Sequence, residues 1–260
     1  MTIAVAKSIP SQRPLDLESL PVFTPDPAVL SDQLIVGLDS RDSRSRAFNL
    51  LRTTLAKRMK EKGHRLVGIT SATPSAGKSF LSLNLAASLS RVSEDDVILV
   101  DLDLRRASIA EGVGMQVKRG VSEFLNGEVS ELASIGSRVH DSQLVLFPTK
   151  AVSKNTAELI SGPVFEKFIS GLRQETGNSI ILFDLPPAFA NDDAMLILGQ
   201  LDAYVMVIDS GKTNTKQVQD VLAMLDPVPC IGTVLNRYNG GFADNYGYGY
   251  GTSAYAKYYD

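Results

Sequence analysis

The segment around Gly77, Lys78 and Ser79 has the residue types and the spacing of a loop that binds phosphate groups. In such a loop, backbone N–H groups bind phosphate oxygens, the lysine adds a positive charge, and the serine hydroxyl is a ligand for Mg²⁺. Ala72 stands where such loops usually have their first glycine, so a chance Gly-Lys-Ser at a helix start is the alternative. The predicted cofactor-binding residues of this loop are Ala72, Thr73, Pro74, Ser75, Ala76, Gly77, Lys78, Ser79 and Phe80.

Three aspartates follow apolar runs that are typical of buried strands: Asp101 and Asp103 after residues 97–100, and Asp184 after residues 180–183. Because side chains alternate along a strand, Asp101 and Asp103 should point to the same side, where they can share a Mg²⁺ ion and an attacking hydroxyl. A single aspartate usually belongs to a turn or a helix cap, but three at strand ends beside a phosphate loop favour catalysis. The predicted catalytic residues are Lys78, Asp101, Asp103 and Asp184, and the predicted metal ligands are Ser79, Asp103 and Asp184.

Short aliphatic runs alternate with helical patterns along most of the chain. The predicted strands are residues 66–70, 97–100, 144–147, 180–183, 204–208 and 231–235, and the predicted helices are residues 79–89, 157–172 and 216–225. Another helical pattern begins at Ser43, with apolar residues at three- and four-residue spacing. This alternation predicts an α/β fold of the P-loop NTPase type, with a doubly wound, mostly parallel sheet and helices on both faces. Ligands bind such sheets at the carboxyl ends of the strands.

The composition fits one folded unit with extensions at both ends. The 260 residues carry 26 Lys and Arg against 29 Asp and Glu, and this net charge of −3 does not indicate nucleic acid as a partner. A single cysteine, Cys230, and the lack of a long apolar run predict a cytoplasmic protein without a signal or membrane anchor. We expect an extended, proline-rich arm over residues 1–35, a P-loop domain over residues 36–240 and a flexible tail over residues 241–260.

Six of the eight tyrosines lie in the last fifteen residues, where several alternate with glycine. Such a segment lacks the aliphatic residues that build a core, so we expect it to be exposed. An aromatic tail that associates with itself is the alternative. Beside a nucleotide site, the cluster is instead predicted to accept phosphate groups at Tyr246, Tyr248, Tyr250, Tyr255, Tyr258 and Tyr259.

The region from Arg41 to Arg65 contains nine Lys or Arg against one Asp and one Glu. The solvated face of a helix is the ordinary explanation of such a run. An anionic membrane surface or a phosphorylated tail that binds there is the more specific one.

The loop, residues 101–106 (Asp-Leu-Asp-Leu-Arg-Arg), residues 184–187 (Asp-Leu-Pro-Pro) and the tyrosine-rich tail together resemble the bacterial tyrosine kinase (BY-kinase) family. The resemblance covers about residues 43–260 and includes weaker matches at residues 119–127, 155–159 and 232–237. The overall pattern of motifs is most similar to the stand-alone cytoplasmic autokinases of capsule and exopolysaccharide clusters. The resemblance therefore implies a protein-tyrosine autokinase that uses ATP and Mg²⁺, phosphorylates its own tail, and regulates the polymerisation and export of polysaccharide.

The resemblance also implies roles for individual residues. Lys78 would bind phosphate with Ser79, Asp101 would accept the tyrosine proton, and Asp103 and Asp184 would organise Mg²⁺ and its waters. At the end of the last predicted strand, the adenine would be contacted by Asn236 and the nucleotide by Arg237. Expected partners are other copies of the chain in a homo-oligomer and an inner-membrane activator of the polysaccharide co-polymerase type, at the inner face of the plasma membrane.

Two departures from the family pattern bear on these expectations. The family's assembly helix carries Glu-x-x-Arg-x-x-Arg, and the corresponding residues here are Arg46, Asn49 and Arg52, of which only Arg52 matches. In the loop, Ser75 and Ala76 replace a common Gly-Glu pair, a change that leaves the backbone free to bind phosphate.

Two other classes of protein share some of these features. A positioning ATPase of the partition or septum-site type has the same sheet and aspartates, but its loop usually has a signature lysine where this chain has Thr73. A nucleotide-binding regulatory scaffold with little catalysis is the third possibility. Phosphotyrosine formation separates the kinase from both.

Overall fold

The computed structural model describes residues 15–153 and 155–238, and in them a single sheet organises the chain. Its eight strands are β1 (Val22–Phe23), β2 (Leu66–Ser71), β3 (Val97–Asp101), β4 (Ser137–Val139), β5 (Leu144–Phe147), β6 (Ile180–Asp184), β7 (Ala203–Asp209) and β8 (Cys230–Asn236). They lie in the order β1-β4-β5-β3-β6-β2-β7-β8. Neighbouring strands are parallel except for the antiparallel pair β4 and β5. The predicted fold class is confirmed.

Helices pack on both faces of this sheet. They are α1 (Pro27–Asp32), α2 (Arg46–Lys62), α3 (Lys78–Ser90), α4 (Ser108–Val113), α5 (Val121–Leu125), α6 (Thr156–Ser161), α7 (Pro163–Glu175), α8 (Asp193–Leu198) and α9 (Thr215–Met224). Short 3₁₀ turns cover Leu17–Ser19, Ser43–Ser45 and Leu132–Ser134.

The helix predicted over residues 157–172 is two helices, α6 and α7. Gly162 between them has an extended backbone, and Pro163 is the first residue of α7. Proline has no N–H to donate and disfavours helical conformation in the residue before it, so it ends one helix and starts the next. The six predicted strands are observed with ends shifted by at most one residue, whereas β1 and β4 are too short to give a sequence pattern.

The alternation of side chains along each strand divides the core into two apolar clusters. Along β3, Ile98 and Val100 pack in the cluster under α5 to α9, whereas Val97 and Leu99 pack in the cluster under α2 to α4. Full burial of an aliphatic side chain of this size contributes about 1.5–3 kcal/mol. These clusters fix the strands, and with them the loops at the carboxyl ends.

The extended arm predicted over residues 1–35 is wrong for the part that the structure describes, residues 15–35. Leu17 and Leu20 are buried in the core, and β1 pairs with β4 at the edge of the sheet. Immediately after this segment, the backbone N–H groups of Val36 and Gly37 donate to Oδ1 of Asn84 on α3, at 2.8 and 3.0 Å. The apolar residues here are too widely spaced to show a period, yet Phe23, Leu30 and Ile35 also pack against the core.

Two residues that correspond to the family's assembly helix make contacts within the chain. Nη1 of Arg52 donates to the carbonyl oxygen of Ser88 at 3.0 Å. Oδ1 of Asn49 accepts hydrogen bonds from Oγ of Ser88 at 3.2 Å and from Nη2 of Arg91 at 2.9 Å. These side chains therefore join α2 to the end of α3.

Some predictions fall on residues that the structure does not describe. The six tail tyrosines and the first fourteen residues lie outside the described ranges. Among the helices of residues 15–153 and 155–238, none is both long and apolar enough to cross a membrane.

Candidate active site

The phosphate loop connects the end of β2 to the first turn of α3. Ser75 and Gly77 have the left-handed backbone conformation, with φ of 63° and 91°. A Cβ atom at position 77 would lie 2.1 Å from Nδ2 of Asn236, so only glycine fits there. A left-handed turn followed at once by a helix start is a geometry that presents backbone N–H groups to an anion.

The other predicted loop residues mainly shape the loop. Ala72 and Ala76 are buried in the apolar core, and the ring of Phe80 packs edge-on against Phe48 with centroids 5.7 Å apart. The carbonyl oxygen of Thr73 accepts a hydrogen bond from Oγ of Ser71 at 2.7 Å. Pro74 and Ser75 form the exposed tip of the loop.

Asp184, at the end of β6, is fully buried and joined to α3 by two serine hydroxyls. Oγ of Ser79 donates to its Oδ2 at 2.5 Å, and Oγ of Ser82 donates to its Oδ1 at 3.0 Å. Burial raises the pKa of Asp184 to about 6, although the nearby Lys78 and the Ser79 hydroxyl lower it. The Ser79 hydroxyl also accepts a hydrogen bond from Oγ of Ser108 at 2.7 Å.

Asp101 ends the neighbouring strand β3 and lies opposite Asp184 in the strand register. Its side chain is fully buried and accepts hydrogen bonds from the backbone N–H groups of Asp103 at 3.2 Å and Ile109 at 3.1 Å. Burial raises the pKa of Asp101 well above its usual value, and the charge of Asp184 raises it further. Two buried carboxyl groups on adjacent strand ends therefore compete for ionisation, which is typical of catalytic sites.

The predicted alternation with Asp101 required the strand to continue to Asp103, but it does not. Asp103 lies in the turn after β3, where Nζ of the buried Lys78 is 4.0 Å from its Oδ2. Burial raises the pKa of Asp103, while Lys78 lowers it. The turn brings Asp103 to the loop lysine, so the two residues share one site by a different route from the one the sequence suggested.

The end of β8 is attached to the phosphate loop. Nδ2 of Asn236 donates to the carbonyl oxygen of Ala76 at 2.8 Å, and Nη1 of Arg237 donates to that of Ser75 at 2.7 Å. Nη1 of Arg237 also pairs with Oδ2 of the buried Asp209 at 2.8 Å. Both predicted nucleotide-contacting residues are thus at the loop, and Asp209 holds one of them there.

Three residues of the site were missing from the sequence prediction. Asp209 follows an apolar strand, the same signal that identified Asp184, and could have been found. Ser82 is three residues after Ser79 and shares its helix face. Ser108 has no distinguishing pattern in the sequence, because only the fold brings it to Ser79.

The oxygen ligands at the carboxyl ends of the strands fit Mg²⁺. Within the ranges that the structure describes, no group of three or more His, Cys, Asp or Glu side chains is arranged to hold a metal ion without other ligands. Mg²⁺ is usually bound by only one or two carboxylates, with phosphate oxygens and waters completing the shell. The Ser79 hydroxyl and the Asp184 carboxylate, with Asp103 nearby, suit such an incomplete protein site.

A parallel sheet with a phosphate loop after one strand and carboxylates at the ends of its neighbours defines a P-loop nucleotide-binding domain. The chain belongs to the CobQ/CobB/MinD/ParA nucleotide-binding domain family, whose model matches residues 67–246.

Its relatives in this family include bacterial tyrosine kinases. The tyrosine-protein kinase Wzc of Salmonella typhimurium is 29% identical over 221 residues, which are 83% of this chain and 30% of that protein. The tyrosine-protein kinase YwqD of Bacillus subtilis is 26% identical over 223 residues, 84% of this chain and 91% of that protein. The solved kinase domain of the Escherichia coli tyrosine kinase ETK is 25% identical with a TM-score of 0.70, covering 80% of this chain and 83% of that one.

These relatives confirm the resemblance to bacterial tyrosine kinases that the motifs predicted. The chain spans less than a third of the length of Wzc and of several other curated relatives that it matches. It spans most of the length of YwqD.

Proposed function

We propose that the chain is a protein-tyrosine kinase that transfers the γ-phosphoryl group of Mg·ATP to the tyrosines of its own C-terminal cluster. The observation that carries this proposal is the position of Asp101. Its buried carboxyl group lies beside Asp184, at the carboxyl ends of the strands, where the phosphate loop also lies. Lys78, which would bind the β and γ phosphates, already lies beside Asp103 in the turn that follows Asp101. The phosphates and the candidate base therefore belong to one site.

Asp101 is suited to accept the proton of the attacking tyrosine. A tyrosine hydroxyl has a pKa of about 10 and is mostly neutral at pH 7, so a positioned base assists its attack. The raised pKa of Asp101 makes its carboxylate a stronger proton acceptor than an exposed aspartate. In the proposed step, the tyrosine oxygen forms a bond to the γ-phosphorus, the bond to the leaving ADP breaks, and the tyrosine proton goes to Asp101.

The remaining residues position the nucleotide. A bound Mg²⁺ would supply charge neutralisation on the phosphate oxygens. The Ser79 hydroxyl and the carboxylates of Asp103 and Asp184 would hold it. The β8 residues Asn236 and Arg237 already contact the loop and would contact the nucleotide base from that side.

The tail and the domain division are part of the proposal. The alternating Gly and Tyr residues after position 245 support an acceptor segment at residues 241–260, and residues 36–240 supply the catalytic domain. The packing of residues 15–35 on the sheet adds them to the folded unit.

The biological setting follows from the same resemblance. We include in the proposal a role in exopolysaccharide polymerisation and export, assembly into homo-oligomers, a cytoplasmic location, and activation by an inner-membrane co-polymerase. Residues 41–65 would contribute a basic surface that binds an anionic membrane. Arg52, Arg58 and Arg65 donate to backbone carbonyl groups within the fold, so the exposed Lys57, Lys60 and Lys62 would carry that contact.

Vesicle flotation tests the membrane part. Wild type should float with anionic vesicles at low salt and not with neutral ones, and replacement of the three lysines by glutamine should abolish flotation. Equal flotation of wild type and variant would exclude the three lysines as the contact, and no flotation of wild type with anionic vesicles would remove the membrane from the proposal.

Incubation of purified protein with labelled Mg·ATP tests the kinase itself. Three full-length proteins are compared: wild type, Lys78→Met, and a variant with all six tail tyrosines changed to phenylalanine. We expect phosphotyrosine in wild type only. Phosphate release without phosphotyrosine would favour a positioning ATPase, and neither product would favour a nucleotide-binding scaffold.

A further inference from the structure

Two consecutive arginines in the turn after β3 extend toward opposite sides of the site. Nη1 of Arg106 lies 3.4 Å from Oγ of Ser75, at the tip of the phosphate loop. Arg105 instead contacts Thr156 of α6 and Asp193 of α8. The nucleotide side and the opposite side of the turn therefore each have one guanidinium group.

The guanidinium of Arg105 is held by a buried polar cluster. Its Nε lies 3.3 Å from Oδ2 of Asp193, and its Nη2 lies 2.8 Å from Oγ1 of Thr156. The same Oδ2 accepts hydrogen bonds from Oγ1 of Thr156 at 2.9 Å and from Nδ2 of Asn191 at 2.7 Å. Asp193 is 1% exposed, and its Oδ1 is buried without a hydrogen-bond partner among the described residues. A charged and polar cluster of this kind is costly to bury, so it calls for an explanation beyond packing.

This arrangement leaves one edge of the Arg105 guanidinium unused. Nε–H and the adjacent N–H of Nη2 make up the side edge, which faces Asp193 and Thr156. The outer edge, formed by Nη1 and the second N–H of Nη2, has no partner in residues 15–153 and 155–238, and the side chain is 47% exposed. Two parallel N–H groups on a fixed guanidinium match two oxygens of a phosphate group.

The position of Arg105 in the fold suggests that the outer edge of its guanidinium faces the acceptor segment. The residues that hold it follow β5 and β6, whereas the phosphate loop follows β2 on the other side of β6. Arg105 is two residues after Asp103, so their Cα atoms are at most about 7 Å apart. Arg105 therefore belongs to the same turn as Asp103, and its guanidinium is held by residues that follow β5 and β6 and not by the loop.

We propose that Arg105 binds a phosphotyrosine already present on the acceptor segment while the next tyrosine enters the site. Tyr246, Tyr248 and Tyr250 alternate with glycine, and in an extended peptide residues two apart lie on the same side at about 6.6–7 Å. This repeat lets one tyrosine enter the site while the tyrosine two residues away reaches the turn that carries Arg105. Phosphorylation would then favour further phosphorylation of the same segment. This inference rests on the proposed function, because it requires the tail to be the acceptor.

Peptide binding tests the inference without any phosphoryl transfer. The probe is a synthetic peptide of residues 244–252 with phosphate on Tyr248, compared with the same peptide without phosphate and with inorganic phosphate. The protein is the full chain with its six tail tyrosines changed to phenylalanine, and excess Mg·ADP keeps the probe out of the phosphate loop. Arg105→Gln and Arg105→Lys are the test variants. Lys216→Gln, at an exposed lysine on α9, is the control for the loss of a positive charge.

We expect the phosphopeptide to bind about tenfold more tightly than the plain peptide, as charge-assisted hydrogen bonds of this kind allow. Arg105→Gln should reduce this ratio to about one. Arg105→Lys, which keeps a charge beside Asp193 and so protects the fold, should reduce it nearly as far because an ammonium group lacks the planar pair of parallel N–H donors. Lys216→Gln should leave the ratio unchanged.

Three results would overturn the inference: a ratio near one in the parent protein, an equal loss in Lys216→Gln, or inorganic phosphate competing as strongly as the phosphopeptide. Its failure is separable from that of the kinase proposal. Phosphotyrosine formation with a binding ratio of one removes only the Arg105 site, whereas a high ratio in a chain that makes no phosphotyrosine removes only the kinase.

Discussion

The two halves of the candidate site are stabilised in different ways. The phosphate loop is exposed at its tip and is held by backbone conformation and by hydrogen bonds from Asn236 and Arg237 to its carbonyl groups. The carboxylate half is buried, and Asp101 and Asp184 are held there by backbone N–H groups and serine hydroxyls. The loop therefore depends on shape, whereas the carboxylates depend on charge.

Because the two halves are stabilised differently, substitutions in the loop and substitutions of the carboxylates should have different effects. A change of shape in the loop should weaken nucleotide binding and show little pH dependence. A change of charge at the strand ends should affect the chemical step and the pH dependence of stability. The predictions below test that separation, beginning with the largest effect.

Replacement of Asp101 by asparagine should reduce the rate of phosphotyrosine formation by about 10²–10⁴-fold, because the variant has no proton acceptor at this position. ATP binding, measured separately by titration, should remain close to wild type. Asp220→Asn, at an exposed aspartate on α9, is the control and should keep full activity. An Asp101→Asn protein with wild-type rate would exclude this residue as the base.

Replacement of Gly77 by alanine should weaken ATP binding at least about tenfold, since the new Cβ meets Asn236 and the left-handed backbone is strained by about 1–2 kcal/mol. Gly63→Ala separates these causes, because Gly63 is also left-handed, with φ of 69°, but has nothing within 4 Å of an added Cβ.

Gly63→Ala should lower thermal stability and leave ATP binding unchanged. Adding Asn236→Ala to Gly77→Ala should recover part of the lost affinity by removing the clash. If Gly77→Ala binds ATP as wild type does, the loop does not form the nucleotide site.

The contribution of Asp184 to the free energy of unfolding should decrease as pH rises. An unfolded aspartate ionises at about pH 3.9, whereas folded Asp184 has a pKa of about 6. Between these values the folded chain keeps a proton that the unfolded chain has lost, so the contribution of Asp184 decreases from about pH 4 to about pH 6 and stays low above that.

Asp184→Asn is neutral throughout and can keep its contacts, because the Ser79 and Ser82 hydroxyls can rotate to suit an amide. Its melting temperature should equal that of wild type near pH 4 and exceed it by about 6–12 °C above pH 6, since a shift of about two pKa units is worth about 3 kcal/mol. Circular dichroism melts across this range measure the difference, with Asp220→Asn as the control. A gain that does not change with pH would show that burial of charge is not the cause.

The sequence predicted the sheet well because strands buried on both faces are continuous apolar runs, as residues 180–183 show. It predicted the positions of Asp101 and Asp184 because each directly follows an apolar run, and that of Lys78 because Gly-Lys-Ser begins a helix after a strand. It wrongly extended the alternation of strand side chains from Asp101 to Asp103, because β3 ends at Asp101 and Asp103 lies in the turn that follows. Ser108, Thr156 and Asp193 are the first residues of three separate helices, so only the packed fold shows which groups they contact.

Phosphosite mapping by mass spectrometry, after purified wild-type protein is incubated with Mg·ATP, tests the central claim most directly. The account predicts phosphate on the tail tyrosines from Tyr246 to Tyr259. It predicts none on Tyr204, which is 1% exposed and whose pKa is raised by burial, or on Tyr238 at the end of the described domain. A protein that gains no phosphotyrosine, or gains it mainly on Tyr204 or Tyr238, would contradict the account.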